Sequence, residues 1–190
     1  SVYPKLAIWG ETTEVLGASN DYAVAYTDKL HPFFENYHDD ILIVSRKEKA
    51  VSSRAGHALM NDNPYANVRY EQANTNLKRL LKVLKTGDAT EFIEVVETEA
   101  LVLHALMMCS KPSFILMQPN TLSVIQKIQA YREATKLPIC FTLDAGPNVH
   151  VLYPHSIEQE AKIFIKNELL PFCEDSYYIE DGMGNGATLV

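Results

Sequence analysis

Hydrophobic spacing along the chain changes from period two to a helical period and back, and the changes divide it into elements. Lys5 to Gly10 reads as a short strand or the end of an element, followed by a polar, loop-like stretch from Glu11 to Asp21. His31 to Asp40 mixes aromatic residues with acids. Ile41-Leu42-Ile43-Val44 is then a continuous apolar run bounded by charge, which predicts a buried strand. Lys47 to Lys49 predict a charged turn, and Ser52-Ser53 stand where a cap would open a short helix over Ala55 to Met60. Asn61-Asp62-Asn63-Pro64 ends that helix. From Tyr65 to Lys85 the apolar positions Val68, Leu77, Leu80, Leu81 and Leu84 keep a helical period, and Gly87 supplies a C-terminal stop.

Asp88 opens a second long helix running to about Met108, apolar on most sides in its later half, and Lys111-Pro112 breaks it. Phe114 to Met117 is a short apolar run. Asn120 is the expected cap of a helix to about Thr135, with Val124, Ile125 and Ile128 as its buried stripe. Ile139 to Leu143 and Val149 to Tyr153 predict two strands joined by a tight turn over Asp144-Ala145-Gly146-Pro147-Asn148. Glu158 to Leu170 predicts an amphipathic helix, and Tyr177 to Glu180 a last strand before a Gly-rich tail. With no internal repeat or linker, the pattern predicts an α/β (α+β) fold with a mostly antiparallel sheet covered by helices.

Composition narrows the class. The chain has 190 residues, 47% hydrophobic and 22% charged, which is enough to bury a core and unlike a disordered chain. Seventeen basic against twenty-four acidic residues give a net charge of −7, which argues against nucleic acid as a partner. The longest apolar stretch, Ala100 to Cys109, contains His104 and falls short of the roughly 18 residues of a membrane span, so no membrane is expected as partner. Cys109, Cys140 and Cys173 lie too far apart for a CxxC motif, and a reducing, cytoplasmic setting is expected. The opening Ser1-Val2-Tyr3-Pro4 has no initiator Met, basic region or apolar stretch. It reads as a cut rather than a signal peptide.

Two segments offer chemistry. In Asp144-Ala145-Gly146-Pro147-Asn148 a carboxylate at a strand end, beside a Gly that admits close approach, is a proton acceptor on a rigid mount; these residue types also simply make turns. In Ser52-Ser53-Arg54-Ala55-Gly56-His57 two hydroxyls, a guanidinium and helix-start N–H groups suit a phosphate or carboxylate; the plainer reading is an N-cap followed by an exposed Arg. The six histidines show no HxH or HExxH spacing, so no metal ligands are assigned. His104 reads as a hydrogen-bonded core residue, and Glu94, Glu97 and Glu99 as a solvated helix face. Gly182 to Gly186 lacks the following helix that a phosphate loop requires, and reads as a flexible tail or lid.

Taken together these segments resemble the C-terminal half of the diphosphomevalonate decarboxylases, within the GHMP kinase superfamily of small-molecule kinases. Thr142-Leu143-Asp144-Ala145-Gly146-Pro147-Asn148 resembles the family's T-x-D-A-G-P-N, and Ser52 to His57 its S-S-x-x-G-M. Phe92, Glu99, His104 and Ala105 fall at the spacing of its helix ending D-S-x-x-x-H-A. Pro4-Lys5 stands in place of Gly-Gly, His57 in place of Met, and Leu101 where Asn is usual.

The resemblance implies a ferredoxin-like domain over 41–190, preceded over 1–40 by the end of an N-terminal-domain region. It implies ATP-dependent conversion of mevalonate 5-diphosphate to isopentenyl diphosphate, with Asp144 catalytic and Ser52, Ser53, Arg54 and Gly56 binding substrate. His57, Ala145 and Gly146 take supporting places. ATP and Mg2+ are the implied cofactors. Ser1-Val2-Tyr3 matches the segment after the family's Ala-Cys-Arg, so the ATP-binding half is expected upstream, as the chain's own N-terminal half or a complementary chain, and a homodimer is allowed. A mevalonate or phosphomevalonate kinase or decarboxylase, and a non-catalytic binding or regulatory module, are the alternatives.

Overall fold

A computed structural model describes residues 3 to 47 and 62 to 187. The predicted turn and short helix at 48–61 lie outside them. Near the N-terminus, β1 (Ala7–Trp9) and β2 (Ala23–Ala25) form a small antiparallel ribbon. The second strand, three residues long and preceded by polar residues, carries no readable alternation.

Four strands make the main sheet: β3 (Tyr37–Leu42), then β4 (Cys140–Leu143), β5 (Val149–Pro154) and β6 (Tyr178–Ile179). Their spatial order is β4-β5-β3-β6, with every neighbouring pair antiparallel. Numbering these strands by chain order gives 2-3-1-4, the ferredoxin-like arrangement that the family resemblance implies. The strand expected at 41–44 begins four residues earlier and ends at Leu42. His38, Asp39 and Asp40 belong to it because β5 lies alongside their whole length. Asp40, fully buried, accepts a 2.5 Å hydrogen bond from the Tyr153 hydroxyl.

Between β3 and β4 run three helices, α1 (Ala66–Thr86), α2 (Ala89–Met108) and α3 (Pro119–Thr135). Gly87 separates the first two in left-handed backbone (φ 77°), and a Cβ there would clash with the His31 ring. Asp88 caps α2 by accepting from the Glu91 N–H. Gln118, not Asn120, is the cap residue of α3, with Pro119 in its first turn. Asn120 instead donates to the Phe172 carbonyl. After β5, α4 (Glu158–Phe164) continues into a π turn at Ile165–Leu169, so the predicted single helix changes winding midway.

Alternation along the strands feeds two cores. On one face Phe141, Val151 and Tyr153 pack with Val124, Ile125 and Ile128 of α3 and Phe164 of α4. On the other, Tyr37 and Cys140 pack with Phe34, Val83, Leu84 and Phe92. Each fully buried large apolar side chain contributes about 1.5–3 kcal/mol. Val68, expected on the buried stripe of α1, is exposed.

Candidate functional site

The five residues Asp144 to Asn148 join β4 to β5, whose last and first residues, Leu143 and Val149, are register partners. Three separate elements hold this loop. His104, 1% exposed on α2, lies with Nε2 3.0 Å from the Asp144 main-chain oxygen. Thr121, buried in the first turn of α3, donates its hydroxyl to the Pro147 oxygen at 2.6 Å. Asn148 Oδ1 accepts from the N–H of Ser45, just past β3, at 3.1 Å. The Gly146 N–H closes on the Asp144 oxygen at 2.8 Å. Gly146 is buried and does not use left-handed backbone, so its glycine meets no turn requirement of that kind.

Main-chain oxygens and one amide thus fix the loop, while Asp144 itself is exposed and Ala145 half-buried. A carbonyl oxygen only accepts, so His104 carries its proton on Nε2. Burial pushes its imidazole below the ordinary value, with the Asp144 carbonyl pulling the other way, as expected for a core histidine. On β5, His150 is raised by its 2.8 Å contact with Asp39; burial opposes, and the charge of Asp144 adds to the rise.

The mounting of β4 corrects the solvated-face reading of Glu97. That carboxylate is buried, pairs with both terminal nitrogens of Arg132 at 2.7 and 2.9 Å, and accepts from the Phe141 N–H. Arg132 also donates to the Ile139 oxygen, so one charged pair ties α2, α3 and the start of β4 together. Glu99 is likewise engaged, by Arg69 and Asn76. Glu94 fits the solvated reading and pairs with Arg79.

Of the sequence-predicted site residues, Asp144, Ala145 and Gly146 fall in this loop. Ser52, Ser53, Arg54, Gly56 and His57 lie outside the described residues. The Gly-rich tail departs from its expected freedom: Gly182 bridges to His38 and the Lys5 N–H donates to the Gly184 oxygen. Among the described residues no glycine-rich loop opens a helix, so none is built to cradle a triphosphate. None presents carboxylates converging at the Asp144 loop for magnesium either. Among the described residues His38, His155 and Glu158 do form a three-ligand cluster, but none of them belongs to the Asp144 loop. Sequence spacing missed it because His38 is 117 residues from His155. Only the His155-x-x-Glu158 pair was legible. No described helix is long and apolar enough to cross a membrane.

The chain belongs to the mevalonate 5-diphosphate decarboxylase C-terminal domain family, whose model matches residues 40–182. Among solved structures it is similar to a mevalonate diphosphate decarboxylase from Staphylococcus aureus, at TM-score 0.80 and 24% identity over 98% of this chain and 54% of that one. The corresponding enzyme from Legionella pneumophila gives 0.73 and 26%, over 84% and 48%. MDDEF in complex with MVAPP, AMPPCP and magnesium gives 0.74 and 21%, over 89% and 51%. The chain therefore spans about half the length of these structures. No curated protein sequence matches it.

Proposed function

We infer that the chain is the substrate-side part of an ATP-dependent decarboxylase that converts mevalonate 5-diphosphate to isopentenyl diphosphate, working with an ATP-binding half. The observation that carries this reading is the seating of the Asp144 loop by His104, Thr121 and Ser45 within a domain of this family. A loop held largely through its main-chain oxygens leaves Asp144 exposed, so its charge costs the fold no burial. One solved relative is a complex with MVAPP, AMPPCP and magnesium, which supports mevalonate 5-diphosphate as the substrate and ATP and Mg2+ as cofactors. Magnesium, when bound, would neutralise charge on the triphosphate; no group of three or more ligands for it converges at the Asp144 loop among the described residues.

In this reading Asp144 accepts a hydrogen bond from the substrate's 3-hydroxyl and takes its proton as that oxygen attacks the γ-phosphoryl group of ATP. A carboxylate is a far weaker base than an alkoxide and does not ionise a tertiary alcohol beforehand, so proton transfer accompanies phosphoryl transfer. When the C3–O bond breaks and phosphate leaves, positive charge grows at C3, and the carboxylate stabilises it. The C1–C2 bonding pair then forms the C2–C3 double bond as carbon dioxide departs. Ser53 and Arg54 hold the distant diphosphate, with Ser52 and Gly56 completing that contact, and so position C3 at Asp144.

The test is product analysis with the chain and its ATP-binding half together, offered mevalonate, its 5-phosphate and its 5-diphosphate in turn. ATP-dependent carbon dioxide release from the diphosphate alone supports the reading. Phosphorylation without carbon dioxide release assigns the chain to a kinase, and no turnover of any of the three assigns it to a binding module.

A further inference from the structure

Far from the Asp144 loop, three side chains from three elements each aim one ligand atom at a common point. His38 stands on β3, His155 directly follows β5, and Glu158 begins α4. His38 Nε2 lies 3.2 Å from His155 Nδ1, which lies 3.0 Å from Glu158 Oε2; the third edge, His38 Nε2 to that oxygen, is 3.8 Å. Zinc holds imidazole nitrogen and carboxylate oxygen at about 2.0–2.2 Å in a tetrahedron, whose edges are then about 3.3–3.6 Å. The three observed edges bracket that length, so the three atoms outline one face of such a tetrahedron.

Hydrogen bonding alone serves the cluster poorly. The single proton available at His155 Nδ1 faces both the Glu158 oxygen and His38 Nε2, and it cannot be donated fully to both. Placing it instead on His38 leaves the His155 lone pair against a carboxylate oxygen, and protonating both rings sets two cations side by side. A metal ion accepts all three lone pairs at once. The ligands are also held in place: His38 stacks on the buried Tyr153 ring at 4.8 Å and 9°. The other Glu158 oxygen accepts from Lys162 at 2.7 Å, the kind of outer partner that fixes a ligating carboxylate. The His155 side chain is 64% exposed, leaving an entry path and a fourth position for water. In the adjoining pocket Asp40, Glu180 and Asp181 outnumber Lys162, which favours a cation.

We propose that His38, His155 and Glu158 form a site for a zinc-type divalent transition metal, pinning β3, the end of β5 and the start of α4. Two imidazoles select zinc, cobalt, nickel or copper over magnesium and calcium, which prefer oxygen. The site is separate from the Asp144 loop, because β5 runs between them and the five steps across its six residues, about 3.4 Å apiece, span about 17 Å. It goes beyond the decarboxylase reading and stands whether or not that reading holds.

The test is equilibrium dialysis and thermal melting of the untagged, metal-stripped chain, with Cys109→Ser removing the exposed thiol as a competing ligand. One Zn2+ per chain is expected, with a raised melting midpoint, and Co2+ should give the intense visible bands of a tetrahedral complex. His155→Ala, Glu158→Gln and His38→Phe, the last keeping a ring on Tyr153, should each weaken Zn2+ binding about tenfold or more while far-UV circular dichroism stays unchanged. Millimolar Mg2+ should neither displace Zn2+ nor shift the melt. Zn2+ affinity unchanged in His155→Ala and His38→Phe, absence of Zn2+ binding, or displacement by equimolar Mg2+ would each overturn the assignment.

Discussion

His104 and Asp144, forty positions apart, are joined by a hydrogen bond from the buried imidazole Nε2 to the main-chain oxygen of the acid, 3.0 Å long. The contact acts on the backbone, so it sets where the side chain of the exposed Asp144 begins. It also joins two of the three segments on which the family resemblance rests, the D-A-G-P-N loop and the helix carrying His104.

The burial of His104, which that bond only partly offsets, gives the folded chain a measurable pH dependence. His104 is held below its ordinary value of 6.5 by burial, so near pH 6.5 the unfolded chain takes up a proton that the folded chain refuses. Stability from this group is therefore present above 6.5 and falls as the pH drops toward the folded value. His150 has the opposite sign: raised by Asp39, it contributes stability below 6.5 that is lost as pH rises through its folded value. Urea unfolding at a series of pH values should show His104→Asn reducing the acid-side loss and His150→Asn reducing the acid-side gain. His104→Asn should also cost about 1–3 kcal/mol at neutral pH. Slopes that move in the same direction for both variants would contradict the assignment.

Glu97→Ala should destabilise the chain by about 3–5 kcal/mol, because it strands Arg132 largely out of water. Adding Arg132→Met to it should cost less than the two single changes combined, since each alone breaks the same pair. Strict additivity in denaturant melts would mean that the two side chains act independently.

In the core, Ile128→Ala should cost about 2–5 kcal/mol, as Ile128 is fully buried between α3 and the sheet. Ile115→Ala, at a residue 71% exposed, should stay within about 0.5 kcal/mol. Equal effects in the two melts would count against the described core.

What the sequence revealed, and what it hid, follows from the range of the interactions. Gly87 and Asp88 punctuate α1 and α2 through local backbone needs, and the β4–β5 hairpin shows in its two apolar runs around five turn residues. Those features were legible one window at a time. Asp40 and Glu97 were not, because a buried carboxylate is tolerated only when its partner arrives, and Tyr153 and Arg132 arrive from 113 and 35 positions away. The type of the Asp144 loop could be read from its residues, whereas its supports come from three distant elements. The His38 cluster needed β3 and β5 to be paired before it existed at all.

Arg54 lies outside the described residues, and its proposed diphosphate contact is tested by kinetics. Its planar fork pairs two oxygens at once, whereas Lys keeps only the charge. Arg54→Lys should raise KM for mevalonate 5-diphosphate about tenfold, near the ~1.4 kcal/mol of one charge-assisted hydrogen bond, and leave KM for ATP nearly unchanged. A parallel rise in both constants would place Arg54 at the nucleotide instead.

The central claim is that the Asp144 carboxylate takes the proton and steadies the charge at C3, and steady-state carbon dioxide release by Asp144→Asn, with the ATP-binding half present, tests it most directly. The account predicts a loss of about 10²-fold or more in kcat, with KM for mevalonate 5-diphosphate within several-fold of the wild type, because the amide keeps the shape but neither accepts the proton nor carries the charge. Retention of more than about a tenth of wild-type turnover would contradict it.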